Sequence, residues 1–446
     1  MDPVLLSRIQ FGFTAGFHFL FPPLTFGLTL LVLVLESLSL KSGEEIYRKI
    51  SAFMVKILAL VFIMGVATGI TLEFSFGTNW SRYSRLVGDI FGAPLAAEGI
   101  LAFFLESVFI GVLFFGRDRV SPRLYWLTSL LVFVGSHLSG FWIIIANSWM
   151  HTPAGFEKVI VDGRLTRLVL TDFSAAVFNP STLHRFFHVT LAGWITGSFF
   201  AAGIAAWYLI KDRFRDEASK LLKISLSVFM AASLAQFASG HGHAVQVANT
   251  NPERMAAYEA LWEGQNGAPM SIIGFPVESE QKTYFEISVP KLLSLLIHFD
   301  PDARVAGLSE FPVNERPPVL LPYLSYHVMI GLGSLFAALT GLGLLLFITG
   351  KIYTARWYLW ALLLTAPLPL LANEFGWMAA EVGRQPWAIY KILRTADAAS
   401  VVVPAWQILA SLIAFALVYA LLFAIFMVLL VKFVKKGPDG AKGGAY

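Results

Sequence analysis

Residues 11–35 read FGFTAGFHFLFPPLTFGLTLLVLVL, 25 residues without an Asp, Glu, Lys or Arg. A run of that length crosses a bilayer as a helix at about 1.5 Å per residue, so it decides the class of fold. It also holds two things an inert span does not need. His18 lies about 10 Å inside the outer end, where an ionisable side chain requires a partner or a purpose. Pro22 and Pro23 follow it, and they are expected to kink the helix and free carbonyls near the histidine.

Similar apolar runs recur along the 446 residues. Together they predict an all-α integral membrane protein with nine transmembrane helices, near 11–35, 57–76, 94–115, 124–146, 186–210, 224–240, 323–349, 357–380 and 405–431. The sixth reads as the shortest and most polar. Composition agrees: 57% of residues are hydrophobic, only 14% are charged, and the mean hydropathy is +0.68. A soluble domain carries about a quarter charged residues. The domain reading is 1–240 for helices one to six, 241–322 for an outer loop, and 323–446 for helices seven to nine and a cytoplasmic tail.

The formal charge of +4 does not point to nucleic acid, because the basic residues follow the odd-numbered spans. Lys41, Arg48, Lys49 and Lys56 come first, then Arg117, Arg119 and Arg123, with the same pattern at Lys211–Lys223, Lys351–Arg356 and Lys432–Lys436. Short basic loops stay cytoplasmic, which places the N-terminus outside and the C-terminus inside. No basic stretch or small-residue cleavage site precedes the first run, so no removable signal peptide is expected. The chain has no cysteine, which excludes disulfides, thiolate-held clusters and thioether-linked haem. Loop 241–322 is too long for a simple connector. Within it Asn251-Pro252 reads as a helix start and Gly264 as an end.

The ionisable residues of the spans fall in one layer. Glu98 lies about 6 Å and Met329 about 9 Å inside the outer ends of their helices. His188 and Glu381 stand at outer ends, and Glu106 is deeper. Glu374, Trp377 and Glu381 form one helical stripe at i, i+3 and i+7. His184 and His188 share a face, so spacing does not choose between them. Taken singly, a membrane His can be hydrogen-bonded structure, a Met is ordinarily core filler, and paired Glu residues suit an ion pathway. His, Met and Glu together in one layer of a Cys-free, aromatic-rich chain favour haem. No His-His pair is present, and His241 and His243 read as the start of the outer loop, so a haem–copper centre is not expected.

At these residues the chain resembles subunit I of cytochrome bd ubiquinol oxidase, in its short quinol-loop branch. The blocks that carry the resemblance run in order along nearly the whole chain: LSRIQFGFTAGFHFLFPPLT, LEFSFGTNWSRYS, VGDIFGAPLAAEGILAFFLES, FFHVTLAGW, RMAAYEALWE and EFGWMAAEVGRQPWAIY. The last, with GRQPW after its Glu, is the most specific.

The resemblance implies haem b558 held by His188 and Met329. His18 and Glu381 would serve haem b595 and haem d, with Glu98 close by and the split between them open. It further implies a proton route through Glu106, Ser107 and Ser139, support of the haem cluster by Trp377 and Arg384, and quinol binding at Arg254 and Glu259. Two positions depart from the family pattern: Arg254 stands where Lys is frequent, and His327 where some members carry Arg. In a regular helix Arg254 and Glu259 are about 140° apart, so both face one quinol only across a bend. The implied fold is two four-helix groups, spans one to four and five to eight, plus a peripheral ninth helix. The implied reaction is oxidation of membrane quinol at the outer face with reduction of O2 to water and generation of a proton-motive force. The implied setting is the bacterial cytoplasmic membrane, beside subunit II and a small single-helix subunit. Two other readings compete: a proton-coupled transporter using Glu98, Glu106, Glu374 and Glu381, and a haem b electron carrier without oxygen chemistry. The transporter reading predicts helix breaks in matching halves, and none are read here.

Overall fold

The computed structural model describes residues 2–99 and 104–438. The opening run is one span in two pieces, α1 (Pro3–Phe19) and α2 (Pro22–Ser42). The break is where the proline pair puts it, since Pro22 opens α2 at a position that needs no N–H donor. The His18 carbonyl is not left free: it accepts the Phe21 N–H at 3.0 Å. Phe21 then inserts into the core at 1% exposure and anchors the break.

Eight helices are long and apolar enough to cross a membrane, counted among the described residues. They are α1–α2, α3 (Glu45–Thr78), α6 (Pro122–His151), α8 (Thr182–Ile210), α9 (Arg215–Thr250), α12 (Leu320–Ile348), the pair α13 (Arg356–Thr365) and α14 (Leu368–Val382), and α16 (Ala405–Lys436). The other expected span, 94–115, falls partly outside the described residues. Its flanks are α4 (Ser81–Ala97) and the short apolar α5 (Phe104–Phe115).

Two expectations are corrected. The sixth span is not the shortest: α9 has 36 residues and runs ten beyond Gly240. The apolar run does end there, but the polar continuation stays helical because it packs on α8 and on the connection that follows α9. His241 and His243 are therefore helical. The eighth span is broken, because Pro367 and Pro369 interrupt it between α13 and α14. Among the described residues breaks thus occur in two spans, the first and the eighth.

The helices form two groups, one of α1 to α6 and one of α8, α9 and α12 to α14. They meet where α2 crosses α8 in backbone contact. A Cβ on Gly27 would lie 2.5 Å from Gly197 Cα, and one on Gly197 2.5 Å from Gly27 Cα. Small residues at this crossing do what apolar driving force cannot do in lipid. α16 lies outside both groups, against α1 and α3, and is the least buried span.

All the long connections gather at one end. β1 (Phe156–Val161) and β2 (Arg164–Leu170) form a hairpin beside α4, followed by α7 (Phe173–Val177). The connection from α9 to α12 holds α10 (Pro252–Tyr258), β3 (Gln265–Asn266), the hairpin of β4 (Met270–Val277) and β5 (Lys282–Val289), α11 (Leu292–His298), and β6 (Arg304–Val305), which pairs with β3. It has its own core, with Met255, Leu261, Leu293, Ile297 and Leu308 packed on Tyr323 of α12. Pro252 does open α10, but the helix ends at Tyr258 rather than near Gly264, and Ala260 turns the chain at φ 48°. β7 (Trp387–Ile389), β8 (Leu393–Arg394) and α15 (Thr395–Ala398) complete this end before α16.

Candidate functional site

Glu381 sits in the last turn of α14, and four side chains, from α6, α8 and the turn that follows α14, converge on it. Its Oε1 accepts from Asn147 Nδ2 at 2.9 Å and His151 Nε2 at 3.2 Å, both from the C-terminal end of α6. Arg384 donates to Oε2, and Arg185 of α8 lies 3.9 Å from Oε1 while donating to Asn147. Arg254 of α10 joins them at 3% exposure, with its Nε donating to the Gly383 carbonyl at 3.3 Å. Glu253 adds one more carboxylate next to Arg254. Three guanidiniums therefore face two carboxylates in a buried volume. Arg384 Nε, His151 Nδ1 and Glu253 Oε2 are buried there without hydrogen bonds among the described residues.

One stripe up α14, Trp377 and Glu374 meet α1. A Cβ on Gly16 would stand 3.3 Å from Glu374 Oε2 and 4.0 Å from the Trp377 ring. His18, two residues on, bonds through Nδ1 to Thr68 Oγ1 at 2.9 Å, and Gly69 leaves open the space beside its Cε1. Glu98, at the end of α4, accepts from Ser139 Oγ of α6 at 3.0 Å. Glu106 is 6% exposed on α5, and Ser107 Oγ is buried with no hydrogen bond among the described residues.

In the second group, His188 of α8 faces α9, with its ring 3.1 and 3.2 Å from Gln236 Nε2 and 5.5 Å from the His243 ring. Gly240 lies beside the ring, where a Cβ would stand 3.5 Å from Cε1. Met329 of α12 packs on α14, where a Cβ on Gly376 would lie 2.7 Å from its sulfur. His327 spans two carbonyls, Tyr323 at 2.9 Å and Ser271 at 2.8 Å.

Arg254 and Glu259 diverge. While Arg254 turns to Gly383, Glu259 points to β4, where its Oε2 accepts the Ser271 N–H at 3.1 Å and its Oε1 has no partner among the described residues. Burial pushes the Glu259 carboxyl up to about 8, the Ser271 bond acting against it. Tyr258 and Tyr326 stack between them, with rings 4.8 Å apart.

The sequence profile of the cytochrome bd terminal oxidase subunit I family matches residues 6–438. The chain belongs to that family. It is 38% identical to cytochrome bd ubiquinol oxidase subunit 1 of Bacillus subtilis, over 98% of this chain and 95% of that protein. It is 35% identical to cytochrome bd-II ubiquinol oxidase subunit 1 of Escherichia coli, over 98% and 97% of the two. The bd oxidase structure from Geobacillus thermodenitrificans superposes with a TM-score of 0.90 at 28% identity, covering 98% of this chain and 99% of that one. This is accordingly a membrane-embedded respiratory oxidoreductase subunit of a cytochrome family, one that carries haem and works with a partner subunit.

Several residues of this family member's site escaped the reading of the sequence. Asn147 and His151 stand one turn apart on α6, and Arg185 stands one turn before His188. That spacing was the available signal. Gln236 and His243 were masked by the polar look of α9.

Proposed function

We propose that this chain is the haem-bearing, catalytic subunit of a quinol oxidase. It takes electrons from a membrane quinol at its outer face and reduces O2 to water. The observation that carries the reading is the buried charge excess around Glu381, in the same layer as His18, His188 and Met329. A buried guanidinium without a counter-charge is costly, so the site fits a ligand that brings carboxylates, as a haem does with its propionates. Gly69 and Gly376 let the His18 ring and the Met329 sulfur pack directly against the neighbouring helices.

His188 and Met329 would hold haem b558. His18 and Glu381 would serve haem b595 and haem d, with Glu98 beside them. Trp377 and Arg384 support that cluster. When bound, haem supplies the iron that carries electrons and binds oxygen. The chain supplies position and protons. Glu106, Ser107, Ser139 and Glu98 lead protons from the cytoplasmic side, and the Ser139–Glu98 bond is one link of that route. Glu259, a buried acid close to neutrality, suits proton acceptance from quinol, and Arg254 stands on the other side of Tyr258. Quinol protons leave outside while consumed protons come from inside. Each charge so separated is worth about 2.3 kcal/mol per 100 mV, which generates a proton-motive force.

The N-terminus lies outside and the C-terminus in the cytoplasm, as the short basic loops require. The partners are subunit II and a small single-helix subunit, and loop 241–322 is the quinol-binding domain, rooted on the outer turns of α9. The relatives' names span ubiquinol and, for a 32% identical Bacillus subtilis protein, menaquinol. The test is a reduced-minus-oxidised absorbance spectrum of the purified complex, repeated for His188→Ala. A b-type band lost in the variant, with a far-red chlorin band kept, supports the assignment. A folded complex without haem bands overturns it.

A further inference from the structure

The connection between α9 and α12 carries large apolar side chains that its own core does not use. Most belong to the β4–β5 hairpin. Phe285 is 88% exposed, Ile287 62%, Ile273 60% and Phe275 48%. They are arranged, not scattered: Ile273 pairs with Ile287 and Phe275 with Tyr284 across the strands. Two polar side chains of the hairpin are instead spent on the protein. Ser271 bonds Tyr323, and Thr283 accepts from Trp262. Charge is held at the turn, by Glu278, Glu280 and Lys282, with Glu286 the exception on β5.

The depth of this hairpin is set by its bonds to α12. Glu278 accepts the N–H groups of Val319 and Leu320, while Ser271 contacts Tyr323 and His327. The hairpin therefore lies along the first two turns of a membrane-spanning helix, about 10 Å of its length. On those same turns α12 exposes Leu321, Leu324 and Val328. No Asp, Glu, Lys or Arg interrupts α12 between Leu321 and Val328, so exposed apolar side chains stand on both the hairpin and the helix turns it is bonded to.

A second element reaches the same level. Phe299, which follows α11, is 73% exposed and packs its ring 5.5 Å from His241 of α9. His241 is the residue after the apolar run of that helix ends. Phe285 and Phe299 also share a backbone oddity, φ 53° and φ 57°. The left-handed region favours Gly or Asn. In water a bare phenylalanine there is unfavourable twice, by backbone and by solvation. In lipid the second penalty becomes a gain.

We propose that this outer segment rests on the lipid of the outer leaflet, through the hairpin face of Ile273, Phe275, Tyr284, Phe285 and Ile287 and through Phe299. The occupant is lipid rather than polypeptide, because the face stands beside exposed apolar turns of a membrane-spanning helix and lacks the hydrogen-bonding rim of a protein interface. The segment is thus an interfacial anchor, and Glu259 sits directly behind it on Ser271.

The Cys-free chain makes the test direct. Ile273→Cys, Phe285→Cys, Phe299→Cys and, at the turn, Glu280→Cys are labelled singly with a nitroxide in the complete oxidase in phospholipid nanodiscs. The unsubstituted complex gives the background from partner subunits, and retained oxidase turnover shows that each variant is folded. Power-saturation EPR then compares collisions with O2, enriched in lipid, and with a nickel chelate confined to water. The expected result is an O2-to-nickel ratio several-fold higher at 273, 285 and 299 than at 280. A water-like ratio at the three positions overturns the proposal. Shielding from both reagents also overturns it, and identifies a polypeptide as the occupant.

Discussion

Two buried ion clusters stand at opposite ends of this helix bundle, and they are built on different principles. At the short-loop end, Glu36 of α2 pairs with Arg117 at 2.6 Å, Ser51 donates to the same carboxylate, and the guanidinium lies 4.4 Å over the Tyr125 ring. Arg117 also donates to the Arg48 carbonyl at 3.3 Å. One charge meets one charge and the remaining donors are used. At the other end, Arg185, Arg254 and Arg384 surround Glu381 with Glu253 at the edge, and buried donors remain unspent. The balanced cluster holds helices together. The unbalanced one, on the function proposed above, is completed by a ligand.

The sharpest way to break this contrast is to remove each acid. Glu381→Ala strands three guanidiniums and is expected to lower oxygen consumption by about 100-fold or more, with loss of bound haem. Stability of the purified complex is expected to fall by about 3–5 kcal/mol. Haem content by pyridine haemochrome and thermal unfolding check both. A variant with full haem content would remove Glu381 from the site.

Glu36→Ala is expected to cost less, about 1–3 kcal/mol, and to leave the haem spectrum unchanged. The double variant Glu36→Leu/Arg117→Met is expected to recover that stability, because an apolar pair replaces a balanced buried ion pair at little cost. The matching replacement of Glu381 and Arg384 is expected to recover nothing. Recovery at both ends, or at neither, would show the two clusters to be of one kind.

Glu259 gives the smallest and most selective effect. Burial holds its pKa at about 8, above the ordinary carboxyl value of 4.5, so the folded state favours the protonated acid. Its contribution to loop stability is full below about 4.5 and is lost as pH rises through about 8. Protection from hydrogen exchange across residues 251–319, taken relative to the intrinsic rate at each pH, is expected to fall over that window. In Glu259→Gln this dependence is expected to vanish. An unchanged pH profile in the variant would mean that Glu259 is already ionised in the fold.

The class of fold was legible in the sequence because lipid forces backbone hydrogen bonds inside each apolar run, and run length then sets the span. The Pro22-Pro23 break was legible for the same local reason. α9 was not, since hydropathy measures what lipid tolerates, while the helix past Gly240 is held by α8 and the connection that follows α9. For the proposed site, His18, His188, Met329, Glu98 and Glu381 could be named as candidates because each is a polar or soft residue in an apolar run. Arg254 and Glu259 could be named, but their divergence depends on where α10 ends, at Ala260. Asn147, His151 and Arg185 stayed hidden, because residues at helix ends look solvated until the fold closes over them.

The uninterrupted course of α9 has a mechanical consequence. At 36 residues it is about 54 Å long, against a hydrocarbon layer of about 30 Å. The loop is therefore mounted on a rigid mast, with no joint at the membrane surface. Any swing it makes pivots at Asn251 or near Val319. A protease acting on the native complex should find its cuts beyond those two points, leaving the mast and its contact with His188 intact.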